Sequence, residues 1–208
     1  MNHRSRRSFL VAAMLAGGAA LVLPAGAAHA AKVGEPAPGF TATDSNGKQV
    51  TLDQFKGKYV VLEWHNQGCP FVVKHYRSGN LPKLQKEWTG KGVIWLTIVS
   101  SAPGKEGHVD GQAANANMKQ AGAAPTAVIL DAKGEIGRAY GAKTTPHMFV
   151  ISPQGTLIYN GAIDDKPSTD AGDIPSSKNY VVQALTEALA GKPVSVPSTT
   201  PYGCSVKY

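Results

Sequence analysis

Two apolar segments do most to restrict the fold of this chain. Residues 59–64 and 92–99 are almost unbroken apolar runs, which is typical of strands that are buried on both faces. Between them, residues 71–89 carry apolar side chains at helical spacing, with a break expected between Gly79 and Pro82. A buried strand, a helix and a second buried strand predict a parallel βαβ unit in a sheet covered on both faces.

The rest of the chain continues this alternation. The further elements expected from the sequence are a hairpin turn at 43–48, a helical turn at 52–57, a loop at 100–111, helices at 113–120, 135–140 and 179–190, a strand at 127–130 and a hairpin of 147–151 with 156–160. The order is β-α-β-α-β-α, then a hairpin and a last helix. It predicts an α/β fold, with a central mixed sheet, helices on both faces and an N-terminal extension.

The first thirty residues have the three parts of a secretory signal. Three arginines precede an apolar run, and residues 28–30 form an Ala-His-Ala cleavage site. The apolar run is about 15 residues long, whereas a membrane span needs about 20, so cleavage after Ala30 is favoured over a membrane anchor. Residues 5–10 also resemble a twin-arginine signal, which predicts export to the periplasm in the folded state.

The expected mature chain is one domain of ordinary size with a tail. Residues 31–191 are expected to form the domain, and residues 192–208 are a tail rich in Pro, Ser and Thr. Removal of residues 1–30 lowers the net charge from +7 to +4, because this segment carries three arginines and no acid. A mildly basic chain without Lys/Arg clusters argues against nucleic-acid binding, and no stable membrane span is expected after cleavage.

Cys69 is the strongest candidate for a reactive residue. It follows the first buried strand, and Pro70 opens the next helix. A thiol at a helix N-terminus faces unpaired N–H groups and the positive end of the helix dipole, which lower its pKa and favour the thiolate. Lys74 and His75 lie within two turns and are expected to add positive potential. The alternative is that Cys69 is a buried and inert core cysteine.

Four segments of the chain carry recognisable motifs. Residues 33–40 read Val-Gly-Glu-Pro-Ala-Pro-Gly-Phe, and residues 44–58 end in Leu-Asp-Gln-Phe-Lys-Gly-Lys. Residues 66–76 match N-x-x-C-P-[FY]-V-x-K-H-Y, and residues 203–208 match G-C-x-[IV]-K-[WY]. Together they resemble the single-cysteine, peroxiredoxin-like redoxins of the alkyl hydroperoxide reductase/thiol-specific antioxidant type. The resemblance covers about residues 33–190 and implies a thioredoxin-like fold and thiol-based redox chemistry.

The resemblance also suggests which residues flank the cysteine and which are missing. Thr145 and Pro146 lie where the family has a cis-proline, which would shape a substrate groove and keep Cys69 from metals. The peroxide-activating set of peroxiredoxins is incomplete, because Asn66 replaces its Thr, Leu62 replaces its Pro and Pro146 replaces its Arg. With no obvious group to polarise the O–O bond, peroxide reduction is expected to be slow.

Cys204 is the second cysteine and lies in the tail. Val72 occupies the position of the second cysteine of thioredoxins, so a resolving thiol has to come from elsewhere. Two cysteines in an exported protein are expected to pair, and residues 192–201 are expected to be flexible enough for Cys204 to reach Cys69 and to leave it on reduction. The alternative is a static Cys69–Cys204 disulfide, worth about 4–5 kcal/mol in the chain-entropy model.

These observations favour a thiol-disulfide oxidoreductase or weak thiol peroxidase, with Cys69 as the nucleophile and Cys204 as the resolving thiol. Its expected partners are protein or small-molecule thiols and disulfides, with an external reductant. No cofactor is expected, and the spacing of the histidines does not indicate a metal site. The alternative function is a non-catalytic thioredoxin-fold binding module with a structural disulfide. The accessibility and the pKa of Cys69 distinguish the two.

Overall fold

The computed structural model describes residues 1 and 30–208 of the 208-residue chain. The predicted twin-arginine motif and apolar run of the signal segment lie outside the described residues. In the described part of the chain, no helix is long and apolar enough to cross a bilayer.

The described chain contains nine strands and five α-helices, with two 3₁₀ segments at Leu52–Phe55 and Ala171–Ser176. The strands are β1 Thr41–Thr43, β2 Gln49–Thr51, β3 Val60–Trp64, β4 Ile94–Val99, β5 Ala127–Leu130, β6 Thr144–Thr145, β7 His147–Ile151, β8 Leu157–Gly161 and β9 Cys204–Ser205. The α-helices are α1 Pro70–Arg77, α2 Asn80–Gly90, α3 Gly111–Gln120, α4 Glu135–Tyr140 and α5 Tyr180–Leu189.

A five-stranded mixed sheet lies at the centre of the fold, in the order β5-β4-β3-β7-β8. β3 runs parallel to β4 and antiparallel to β7, so that Leu62 lies opposite Leu96 on one side and Phe149 on the other. Every residue of β3 is buried, as expected for a strand covered on both faces. The mixed α/β sheet predicted from the sequence is confirmed.

The two faces of the sheet carry separate apolar clusters. Val61 belongs to the cluster packed under α1, α2, α3 and α5, whereas Leu62 belongs to the cluster under α4 and the β1–β2 hairpin. Neighbouring residues of a strand point to opposite faces, so the unbroken apolar run of β3 supplies both clusters.

The helical segment expected after β3 is two helices, and the break lies at the start of the predicted interval. Gly79 separates α1 from α2 and has a φ of 77°, in the left-handed region that favours glycine. α3 begins two residues earlier than the apolar pattern indicates, because the side chain of Asp110 accepts the N–H of Ala113 and caps the helix there.

Residues 192–208, called the strap from here on, pack across the body of the protein. Thr199 Oγ1 accepts the N–H of Ala162 at 2.9 Å, β9 pairs antiparallel with β6, and the Tyr208 hydroxyl donates to the carbonyl of Ala142 at 2.9 Å. These contacts are present although both cysteines are free thiols. The strap is therefore packed against the body, whereas the sequence predicts a flexible tail, because contacts with residues far away in the sequence leave no local pattern. Its release on reduction stays a prediction.

Candidate active site

Cys69 lies where β3 and its loop pass into α1. It is the N-cap residue, its carbonyl accepts the N–H of Val73 at 2.8 Å, and Pro70 occupies the first helical position. Proline suits this position because its missing N–H would have no helical partner there. The Cys69 side chain is 0% exposed. The thiol therefore lies at the start of a helix, as the sequence predicts, but beneath the surface.

Thr145 and Pro146 lie next to Cys69, at the junction of β6 and β7. The peptide bond between them is cis. In the thiol form, Cys69 Sγ donates to the carbonyl oxygen of Thr145 at 3.0 Å. The structure therefore brings the Thr-Pro pair to the cysteine, across 76 positions of sequence.

β9 brings Cys204 to the same place. Cys204 is the antiparallel partner of Thr145 in the pair of β6 and β9. Gly203 passes so close to this strand that a Cβ added to it would lie 2.1 Å from the Thr145 carbonyl oxygen. Main-chain pairing therefore positions the second thiol beside Cys69, while Cys204 itself stays half-buried.

The surroundings of Cys69 favour its thiolate. Burial is the largest influence and opposes ionisation, but hydrogen bonds from the side chains of Cys204 and Thr145 and from the N–H groups of Val72 and Cys204 outweigh it. The pKa of Cys69 is therefore lowered from the usual 9.0. Two of these donors belong to the strap, so the strap both covers the thiol and activates it.

The pKa of Cys204 shifts in the opposite direction. Burial and the hydrogen bond to Cys69 raise it to about 12, and the charges of the Cys69 thiolate and Glu106 act in the same direction. Lys207 lowers it, with less effect. Of the two thiols, Cys69 therefore loses its proton first as the pH rises, and Cys204 keeps its proton to higher pH.

Replacement of Cys204 with alanine is expected to raise the pKa of Cys69, because a donor to its thiolate is lost. The pKa is read from the pH dependence of Cys69 alkylation by iodoacetamide, followed on the Cys69 peptide by mass spectrometry. Ser205→Ala, at an exposed neighbour on the same strand, is the matched control and leaves the pKa unchanged. A Cys69 pKa that stays the same or falls in Cys204→Ala contradicts this assignment.

Lys74 and His75 are the two residues of α1 that the sequence predicts to add positive potential at Cys69. The Lys74 ammonium is buried and donates to the carbonyl of Lys166 at 3.0 Å. Burial is the main reason why the pKa of His75 is lowered to about 4, so its ring is neutral at pH 7. Neither residue is among the main influences on the pKa of Cys69. A neutral His75 adds no positive potential at pH 7, and the contribution expected from Lys74 stays a prediction.

His75 instead forms part of an anchor for the strap. The Tyr202 hydroxyl donates to the carboxylate of Asp164 and lies 3.4 Å from His75 Nε2. The Tyr202 ring also packs edge-on against Phe71, with 5.7 Å between the ring centres. Tyr202 lies two residues before Cys204, so this buried polar cluster helps to hold the second thiol in place.

Glu63 is a buried carboxylate that sequence reasoning missed. It accepts hydrogen bonds from the Tyr76 hydroxyl at 2.6 Å, Trp95 Nε1 at 2.7 Å and Gln85 Nε2 at 2.9 Å. Burial raises its pKa, but His65, whose Nδ1 lies 3.7 Å away, and the hydrogen bonds from Tyr76 and Trp95 outweigh burial and lower the pKa overall. The available signal was one charged residue inside an otherwise apolar strand, six positions before the cysteine.

A cavity of about 360 Å³ lies between α1 and α3, beside the loop that precedes Cys69. His65 lines it, is 4% exposed, and has no hydrogen-bond partner at either ring nitrogen among the described residues. Cys69 is not among the lining residues. Among residues 1 and 30–208, no group of three or more His, Cys, Asp or Glu side chains is placed to hold a metal ion.

A thiol at the start of a helix, covered by a cis-proline segment on a mixed sheet, defines a thioredoxin-like redox protein. Solved structures agree on the fold. An uncharacterised conserved protein from Geobacillus kaustophilus aligns with a TM-score of 0.71 at 24% identity, over 85% of this chain and 92% of that one. The thioredoxin domain of a thiol-disulfide oxidoreductase from Bacteroides vulgatus aligns with a TM-score of 0.50 at 20% identity, over 70% and 96%.

The chain belongs to the AhpC/TSA family, whose model matches residues 33–160. It is also similar to the thiol-disulfide oxidoreductase ResA of Bacillus thuringiensis subsp. konkukian, with 28% identity over 127 residues. That alignment covers 61% of this chain and 68% of ResA. The redoxin resemblance seen in the sequence motifs is confirmed, and its relatives are consistent with the prediction of an oxidoreductase.

Proposed function

We propose that this protein is an exported thiol-disulfide oxidoreductase in which Cys69 and Cys204 interconvert between a dithiol and an intramolecular disulfide. The observation that carries the proposal is the pairing of Cys204 with Thr145, which places a second thiol against the activated one. The similarity to ResA supports thiol or disulfide substrates.

The chemistry begins at Cys69. When the strap moves aside, the Cys69 thiolate attacks one sulfur of a substrate disulfide, forms a mixed disulfide and releases the other sulfur as a thiolate. Pro70, Thr145 and Pro146 line the approach to that sulfur in the proposal. Movement of the strap is required, because the Cys69 side chain is 0% exposed with β9 in place.

Cys204 then resolves the mixed disulfide. Its thiolate attacks Cys69 Sγ, forms the Cys69–Cys204 bond and releases the second substrate thiolate. Burial and the neighbouring Cys69 thiolate both raise the pKa of Cys204 in the resting state. Once Cys69 is bonded to substrate, its charge is gone, so one of these causes disappears and Cys204 loses its proton more readily. The order of the two steps thereby follows from the electrostatics of the pair.

The proposal predicts a bridge that physiological thiols can reduce. In a glutathione or dithiothreitol redox buffer, followed by mass spectrometry, the Cys69–Cys204 disulfide is expected to titrate above about −300 mV, the upper end of the range of structural disulfides. The single-cysteine variants Cys69→Ser and Cys204→Ser serve as controls for intermolecular bridges. A bridge that resists reduction into the structural range favours the alternative function, and no bridge at all removes the resolving role of Cys204.

The alternative is a thioredoxin-fold binding module with a structural clip, and one observation favours it. The strap is anchored at Thr199, Tyr202 and Tyr208 as well as at β9, so a disulfide would reinforce a segment that is already packed. A module of this kind needs neither a low pKa at Cys69 nor a bridge that opens. The redox titration therefore separates the two functions.

Export is proposed from residues 1–30, with cleavage after Ala30 and a periplasmic location. Replacement of Arg6 and Arg7 by lysine is expected to block export by a twin-arginine route, and a general secretory route would tolerate it. Amino-terminal sequencing of the exported protein is expected to begin at Ala31. An exported protein that keeps residues 1–30 contradicts the cleavage site.

A further inference from the structure

The two sulfurs of the pair differ in how an external molecule can reach them. Cys69 is 0% exposed and belongs to the apolar cluster on the α1 face of the sheet. Cys204 is half-buried and lies on the strap, where it packs against the outside of the same cluster. Of the pair, only Cys204 is partly accessible to solvent while the strap is in place.

We infer that the external thiol which reduces the Cys69–Cys204 disulfide attacks Cys204 Sγ, so that the mixed disulfide with the reductant forms on Cys204 and not on Cys69. The inference rests on the proposed function, because it requires that disulfide. It assigns different entry points to the two halves of the cycle: substrate disulfides react at Cys69, and the reducing thiol reacts at Cys204.

The geometry of thiol exchange supports this assignment. The attacking sulfur approaches along the S–S axis from the side opposite the leaving sulfur. Cys204 is partly exposed, so a reductant sulfur can approach it from solvent. Cys69 is fully buried in the apolar cluster, where Val72 and Met148 are other buried members, so no sulfur can approach it directly from solvent. Attack on Cys69 would therefore require the core or the strap to open, and attack on Cys204 requires neither.

The leaving groups point to the same sulfur. When a reductant thiolate bonds to Cys204 Sγ, the Cys69–Cys204 bond breaks and its electron pair stays on Cys69 as a thiolate. The hydrogen bonds from Val72 and Thr145 stabilise this thiolate, and a thiol of lower pKa leaves faster. A second reductant thiolate then attacks the reductant sulfur of the mixed disulfide. The two reductant sulfurs form a disulfide, the bond to Cys204 breaks, and Cys204 Sγ leaves as a thiolate that takes up a proton.

The entrance to Cys204 is bordered by two opposite charges. Glu106 raises the pKa of Cys204 and Lys207 lowers it, and the two side chains are 4.0 Å apart and partly exposed. The Glu106 carboxylate also lies next to Gly68, so it covers one side of the loop that precedes Cys69. The reductant that fits the surface around Cys204 is an accessible thiol, on a small molecule or on a protein. Such a thiol does not need a groove that leads to Cys69.

Rapid trapping with glutathione as the probe tests the inference. The purified protein is oxidised with diamide, and the Cys69–Cys204 bridge is verified by mass spectrometry. It is mixed with excess glutathione, quenched with acid after successive short times and alkylated with N-ethylmaleimide before peptide mapping. The product distribution is extrapolated to zero time, because the freed Cys69 thiolate can later attack the mixed disulfide and move the glutathione.

The expected early product carries glutathione on Cys204 and N-ethylmaleimide on Cys69, in excess over the reverse product by about tenfold or more. In concentrated guanidinium chloride both sulfurs are accessible, so this preference is expected to fall toward equality. Glutathione mainly on Cys69, or an equal distribution in the folded protein, overturns the inference. The same preference in the unfolded chain also overturns it, because burial would then not be the cause. Absence of the bridge after diamide treatment contradicts the proposed function instead.

Discussion

Replacement of Glu63 with alanine is expected to lower the free energy of unfolding by about 3–5 kcal/mol. The carboxylate accepts hydrogen bonds from Tyr76, Gln85 and Trp95 inside the core, and all three donors would lose this acceptor at once. Their desolvation is not recovered, because the site has no access to water. Urea unfolding followed by fluorescence measures the loss.

An exposed acid provides the matched control for this prediction. Asp53 pairs with Lys56 at the surface, where such pairs contribute little, so Asp53→Ala is expected to change stability by less than about 1 kcal/mol. Equal effects of the two substitutions would show that the buried network of Glu63 does not stabilise the fold.

The effect of Glu63 also has a defined pH dependence. Its pKa is lower in the folded protein than usual, so its contribution is fully present above the unfolded value of about 4.3 and is lost as the pH falls through the folded-state value. The difference in stability between the wild type and Glu63→Ala should therefore shrink as the pH is lowered below about 4. A difference that grows with acidity would contradict the lowered pKa.

Replacement of Gly203 with valine is expected to increase the alkylation rate of Cys69 about 100-fold, because the buried thiol reacts only when β9 opens. Gly203 has a φ of 137°, which side-chain-bearing residues rarely adopt, and a Cβ there would lie 2.1 Å from the Thr145 carbonyl oxygen. Neither the unfavourable φ nor the contact with the carbonyl oxygen can be relieved by a side-chain movement, because both involve the main chain. The substitution should therefore separate β9 from β6.

The measurement has to separate exposure from ionisation. Loss of β9 also removes donors to the Cys69 thiolate and raises its pKa, so the rates are compared at a pH where the thiolate is complete in both proteins. Ser205→Val is the control, because this residue is exposed on the same short strand. Circular dichroism checks that the sheet remains folded. An unchanged rate in Gly203→Val would mean that β9 does not limit access to Cys69.

Local patterns were sufficient for the central sheet. The apolar runs of β3 and β4 and the hairpin of β7 and β8 are signals contained within a few residues, and each lies where the sequence predicts it. The position of Cys69 at the start of α1 follows from the same patterns. Boundaries were less certain, because caps such as Asp110 decide them through a single hydrogen bond.

The charges around the site could not be read from spacing. Lys74 and His75 are close to Cys69 in sequence, but the helix buries both, and their partners are Lys166 and Tyr202. Glu63 lies within an apolar strand, and the apolar pattern that predicts the strand says nothing about the role of the one carboxylate in it. The sign of a pKa shift depends on neighbours that the fold supplies from other elements, and no local pattern contains them.

The sequence by itself determined the α/β order, the family motifs and the placement of a cysteine at a helix start, because these depend on residues within one or two turns of each other. Only the tertiary structure decided where the strap lies. Thr145 and Cys204 are 59 positions apart in the sequence. They pair through the main chain, and strand pairing of this kind does not depend on which side chains the residues carry. Such a contact leaves no periodic signal, yet it places the second thiol, buries Cys69 and lowers its pKa.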